Sequence, residues 1–345
     1  MVRMVRPGTA ERRLRALVTA PLLLLFPLLL AACGGGDDQP PAGSQHVAGG
    51  QGSDGSLLSI AQAQQGAEQW WSDHEQALLK RDAAAVAHVD AQPLALVEVE
   101  TVRAALSTGQ GLLSGARQPA AVRVHVPASQ SWPVPVLAVY DVAGSSGSVH
   151  LAVLLAKPNP SAQLIATASA ALDAPEPAFD TDAAGYVRMG APASTLAATY
   201  AQYMQAAVHG SPAPSPPPFA AGKLTSQTAT SDAALLSDPS GRSKGTFNTV
   251  DLDFTPIAIP APVFDLAGGA GGFTLIAARR VEVLHPAQGK ALLQDAQRHN
   301  YGVDLAPGQY PQITVQSVVV LAARIPAGGA PAEAAGGGGG IYQEG

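Results

Sequence analysis

The side chain with the most specific chemistry in this sequence is its one cysteine, Cys33, which directly follows Leu30-Ala31-Ala32. Small residues before a cleavage point let a chain enter a narrow peptidase cleft. A thiol just after it is the nucleophile for diacylglycerol attachment. Leu-Ala-Ala-Cys therefore reads as a bacterial lipobox. The upstream residues agree with that reading. Arg3, Arg6, Arg12, Arg13 and Arg15 make a basic start, residues 16–30 form an apolar run, and Ala31 and Ala32 are small. This is the three-part order of a secretory signal. The run is shorter than the ~20 residues a membrane-spanning helix needs, and Pro21 and Pro27 interrupt it. Cleavage before Cys33 would leave a lipidated cysteine as the first residue, and two acyl chains anchor stably where one is marginal. The expected partner is thus the membrane, reached through the lipid on Cys33.

The second group of interest is Trp70, Trp71 and His74. At helical spacing they share one face, and Tyr140 in a later strand is the residue expected to meet them. One reading is a general base at the mouth of a pocket. The other, preferred here, is a histidine packed at a core edge beside two core tryptophans. Asp73 and Glu75 flank His74, but side chains one residue apart on a helix diverge. No metal site is expected, since the eight histidines are scattered and the only thiol is committed to lipid. Gly50-Gln-Gly52-Ser-Asp-Gly55 matches a dinucleotide fingerprint in letters only, because no strand precedes it. Gly-Lys-Ser/Thr is absent and no cofactor is expected, and a serine hydrolase has little support. Arg279-Arg280 is read as a solvated strand edge, with a carboxylate contact as the alternative.

Composition narrows the class. The chain has 345 residues, 47% of them hydrophobic and 13% charged, so it can bury a core and is not a charged disordered chain. Five arginines and one glutamate leave with residues 1–32, so 15 basic and 25 acidic side chains remain. Such an acidic body should not seek nucleic acid or anionic headgroups.

These residues must be positioned by the elements between two Gly-rich ends. Residues 33–57 read as a flexible tether, and residues 327–345, with Gly336–Gly340, as a disordered tail. The first half, 58–175, starts with helices over 59–81, 83–89 and 94–106. After Gln118 the hydrophobic period changes from 3.6 to 2, and strands are expected over 122–126, 134–142, 149–156 and 164–172. The second half, 184–326, repeats that order. A helix over 195–208 ends at His209-Gly210, and strands follow over 247–254, 263–266, 273–284 and 313–325. Residues 210–218 and 226–244 read as long loops. Helices followed by an antiparallel meander, twice, predict an α+β fold of two domains. A helix across a curved sheet suggests the cystatin-like or nuclear-transport-factor-2-like cone for each.

The lipobox, Ala67-Glu-Gln-Trp-Trp71, the segment 95–100 (Ala-Leu-Val-Glu-Val-Glu), the strand 136–140 (Val-Leu-Ala-Val-Tyr), the strand 247–254 and the closing Val-Val-Val-Leu-Ala-Ala-Arg324 carry a family likeness. Together they resemble secreted actinobacterial lipoproteins with an uncharacterised domain, over about residues 58–326. The resemblance implies a cell-envelope location and a cone-like fold, and no activity. Five lysines against fifteen arginines fit the GC-rich genome of such a source. The sequence therefore points to a non-enzymatic binding or scaffolding lipoprotein with a possible envelope protein partner. The competing expectation is a carrier or enzyme with a pocket at Trp70, Trp71, His74 and Tyr140.

Overall fold

Helix α1 (Ile60–Lys80) begins where a capping box forms. The Ser59 hydroxyl accepts the Gln62 backbone N–H at 3.2 Å, and the Ser59 N–H donates to the Gln62 side chain at 3.0 Å. Arg81 ends it in a left-handed conformation. Asp82 then accepts from the N–H groups of Ala84 and Ala85 and starts α2 (Ala83–Val89). Helix α3 (Leu94–Thr108) stops at Gly109, whose φ of 70° suits a residue without Cβ. Four strands follow: β1 (Ala121–His125), β2 (Val134–Gly144), β3 (Gly147–Lys157) and β4 (Ile165–Leu172). The second half supplies α4 (Leu196–Val208), a π-helical turn (Lys223–Gln227), α5 (Thr228–Ser237), β5 (Phe247–Ile257), β6 (Phe264–Asp265) and β7 (Gly271–Pro286). A small pair, β8 (Ala291–Leu293) and β9 (Gly308–Tyr310), precedes β10 (Ile313–Pro326) and β11 (Glu333–Tyr342). In this computed structural model the described residues are 56–109, 111–113, 115, 117–144, 147–212, 214–237, 247–286, 291–293 and 308–342. Cys33, the signal segment and residues 34–55 of the expected tether lie outside them.

The α+β class holds. The expected division into two domains does not. All the main strands belong to one antiparallel sheet in the order β1-β2-β3-β4-β11-β10-β7-β5, with β6 added to β7. The strand that joins the halves is β11, which falls in the segment expected to be a disordered tail. It pairs with β10 from Gln316↔Tyr342 to Arg324↔Glu333, and with β4 at Gly336↔Leu172 and Gly337↔Ala171. Its glycines are there because the neighbouring chains come too close for side chains. A Cβ on Gly336 would lie 2.2 Å from the Ala171 carbonyl oxygen, and one on Gly338 would lie 2.3 Å from that of Ser169. Two smaller corrections follow. Residues 228–237 are helix α5 rather than loop, and Ser56 and Leu57 belong to the folded body, with the Leu57 N–H donating to the Ser129 carbonyl at 3.0 Å.

Three core regions explain why one sheet serves both halves. Helix α1 lays Ala63, Ala67, Trp70 and Trp71 on Val134, Val136, Ala138 and Tyr140 of β2. Helices α4 and α5 cover Leu252, Phe254, Ile276, Ala278, Leu321 and Ala323. The alternate residues of the same strands meet each other. Leu137, Val139, Ala152, Leu154, Ala168 and Ala170 pack with Phe273, Leu275, Ala277, Val318, Val320 and Ala322. The sheet is therefore buried on both faces, which explains near-continuous apolar runs where alternation alone would suffice for a one-sided sheet.

A buried ion triad fixes α5 to this sheet. Arg280 donates to both Asp232 oxygens, at 2.8 and 3.2 Å, and to Glu282 at 3.1 Å, while the Thr249 hydroxyl donates to Glu282 at 2.7 Å. Arg280 is thus in carboxylate contact, not at a solvated edge. Arg280→Ala would leave two carboxylates buried without their cation. The expected loss is about 3–5 kcal/mol, measured by urea unfolding. An unchanged midpoint would show that the triad contributes nothing.

Candidate functional site

The structure brings Trp70, Trp71, His74 and Tyr140 together. Trp70, Trp71 and His74 lie on the inner face of α1, at i, i+1 and i+4, and Tyr140 faces them from β2. The Trp71 and Tyr140 rings stack at 4.7 Å between centroids, and the Trp70 and His74 rings at 4.9 Å. The Tyr140 hydroxyl donates to the Ala67 carbonyl at 2.9 Å. All four are buried, Tyr140 completely. The rings fill the space between helix and sheet rather than border an opening. Two open hollows, of about 540 and 300 Å³, lie elsewhere, one along α4 and one over α1 and α2, and none of the four residues lines either. The expected pocket is a packed aromatic cluster.

Sequence inspection placed Glu75 beside His74 but missed Asp90, Glu98 and Arg117 around that cluster. Asp90, at the end of α2, accepts the Trp70 indole N–H on one oxygen at 3.1 Å. Its other oxygen lies 3.5 Å from His74 Nε2, too long for a hydrogen bond. That oxygen and both His74 ring nitrogens are buried with no hydrogen-bond partner. Burial pushes the His74 pKa down to about 4 and that of Asp90 up to about 8, the latter helped by the nearby charge of Glu98. Burial also pushes Glu98 up to about 7. At neutral pH the imidazole is neutral and the Asp90 carboxyl, which would be an ion in water, is protonated, so the two groups face each other uncharged. Glu75, one residue along, is resolved differently. Arg117 clamps both its oxygens with its guanidinium, the shortest bond being 2.6 Å, and adds its backbone N–H at 3.0 Å. The Trp71 indole holds the Arg117 carbonyl at 2.9 Å. Asp90 is adjacent to His74 only because α2 folds back along α1, and no local pattern in the sequence signals that.

No family model matches the chain, and no curated protein or solved structure matches it. Function therefore has to be read from the residues themselves.

A second polar network lies at the β1 edge. Arg123 makes two bonds to Asp141, at 2.7 and 2.8 Å, and pairs with Glu176. His125 meets Glu176 at 3.1 Å and His150 meets Asp141 at 2.6 Å. Arg123 holds the Asp141 carboxyl down to about 2. With every acid already paired, the network ties the segment carrying Glu176 onto strands β1 to β3.

Proposed function

We propose that this chain is a lipid-anchored extracytoplasmic protein, held to the membrane through Cys33, whose folded body binds or scaffolds a partner in the cell envelope rather than catalysing a reaction. The observation that carries the reading is the Leu-Ala-Ala-Cys33 motif behind a basic start and an apolar run. Residues 34–55, rich in Gly, Pro and polar side chains, have the composition of a flexible stretch between anchor and fold. Among the described residues no helix is long and apolar enough to cross a membrane. The non-enzymatic reading draws support from His74, the strongest candidate base, being packed against Trp70 with its partner acid protonated. The helix layer over each half of the sheet supports the cone-like reading of the halves, as parts of one body.

Cys33→Ala tests the anchor. The variant should move from the membrane fraction to the soluble extracytoplasmic fraction, with the folded body unchanged. A variant that stays with the membrane would overturn lipid anchoring. Cross-linking in intact cells would then identify the envelope partner that the scaffolding reading requires.

A further inference from the structure

At the far end of the sheet from the tryptophans, three donors of the kind that hold metal ions meet. We propose that His209, Asp251 and Asp253 form a surface site for a divalent transition-metal ion of the Zn²⁺ class. One His209 ring nitrogen and one carboxylate oxygen from each aspartate lie within 4.8 Å of one another. A tetrahedral ion with bonds near 2.0–2.1 Å needs these donors somewhat closer, a closure that exposed side chains make by rotation. Imidazole with two carboxylates favours a borderline transition ion over Ca²⁺ or Mg²⁺, which prefer oxygen alone.

The local structure explains how residues distant in sequence come to this point. His209 sits at the C-terminal end of α4. Asp251 and Asp253 alternate on β5, the free edge of the sheet. Before them, the register of β5 against β7 shifts, with Thr249 opposite Leu284 and Asp251 opposite Val283, so Val250 is an inserted bulge residue. The bulge reverses the alternation. Thr249, Leu252 and Phe254 face the buried side, and Asp251 and Asp253 are turned away from it. Without the extra residue the odd-numbered positions would continue into the core.

Three further observations favour an ion. The two aspartates put like charges close together, and among the described residues no lysine or arginine forms an ion pair with either. The donors are also oriented from behind. Gln205, one turn before His209 on α4, donates to Asp253 at 2.9 Å and is itself fixed by the Phe254 N–H at 2.8 Å, while a His209 ring nitrogen bonds the Leu252 carbonyl at 2.9 Å. Outer contacts of this kind hold ligands in metal sites. Finally, His209 and Gln205 line the 540 Å³ hollow beside α4, which leaves room for water to complete the coordination shell.

Calorimetric titration of the full chain with ZnCl2, and with CaCl2 in parallel, tests the site. The expected result is one Zn²⁺ bound with at least tenfold preference over Ca²⁺, weakened at least tenfold by Asp251→Asn and by His209→Gln. Asparagine keeps the size of Asp251 and its short bond to the Leu252 N–H, and unchanged thermal melts would show both variants folded. Replacing Zn²⁺ with Co²⁺ gives a second readout, visible absorption bands that His209→Gln should change. Zn²⁺ binding that neither variant weakens, or none at all in the micromolar range, would overturn the site.

Discussion

Replacing Gly338 with valine is expected to destabilise the whole body, because this glycine sits where β4 and β11 nearly touch. A Cβ there would lie 2.3 Å from the Ser169 carbonyl oxygen, and backbone cannot step aside as a flexible side chain can. The cost of such overpacking is about 1–3 kcal/mol for a single site. The double variant Gly336→Val/Gly338→Val strains both points of contact with β4 and should exceed it. Deleting residues 331–345 should do more. It removes β11 from between β4 and β10, leaving two long strand edges unpaired and opening the central core at Ala168, Ala170 and Val320. The expected product is aggregated or molten, read by loss of near-ultraviolet circular dichroism. If the truncated chain kept a cooperative melt at the wild-type temperature, β11 would not be part of the sheet.

The second large effect is a fall in stability as the pH rises through neutrality to about 8. Asp90 in the folded chain keeps its proton up to about pH 8, whereas in the unfolded chain it releases it near 3.8. Between those values the unfolded state holds fewer protons, so raising the pH draws the chain toward unfolding. Glu98 acts in the same direction between 4.5 and about 7. His74 acts in the opposite one, because its folded-state pKa of about 4 lies below the ordinary 6.5. Its contribution is complete above pH 6.5 and is lost as the pH falls to 4. From about pH 4.5 to 6.5 the histidine offsets one carboxylate, and the decline should therefore be steepest from about 6.5 to 7, where both carboxylates act unopposed, and continue through Asp90 alone to about 8. Asp90→Asn removes that loss. Its carbonyl can still accept from Trp70, and its amide can donate to His74 Nε2, which has no partner in the native protein. At pH 8.5 the variant should be more stable than wild type by on the order of 5 kcal/mol. At pH 4 the two should be similar. Thermal melts of both chains from pH 4 to 9 would show curves that diverge with pH. Parallel curves would mean that Asp90 is ionised and solvated in the folded protein.

Local chemistry carried much of the fold in advance. Ser59 with Gln62, Asp82 and Gly109 mark helix ends by side-chain or backbone geometry, and α1 to α4 start and stop within a few residues of where those signals fall. The strands of the first meander are legible for the same reason, being apolar runs cut by turns. What escaped is long-range. Gly336–Gly340 has the composition of a tail, and only the proximity of β4 and β10, more than 150 and about 20 residues away in the chain, turns it into a strand. The single sheet depends on that strand, so two domains were the natural expectation without it. At the candidate site, helical spacing grouped Trp70, Trp71 and His74 correctly on one face. The burial that closes the pocket, and the arrival of Asp90 and Arg117, come from helix packing that spacing does not encode. Asp251-x-Asp253 carries a visible alternation, but the meeting with His209 depends on the bulge at Val250.

The most direct test of lipid anchoring is the intact mass of the protein extracted with mild detergent from the envelope of the cells that make it. The account predicts a chain starting at Cys33 with a diacylglyceryl group on its thiol, the added mass lost when Cys33 is replaced. A chain starting elsewhere, or starting at Cys33 with a free thiol, would contradict it.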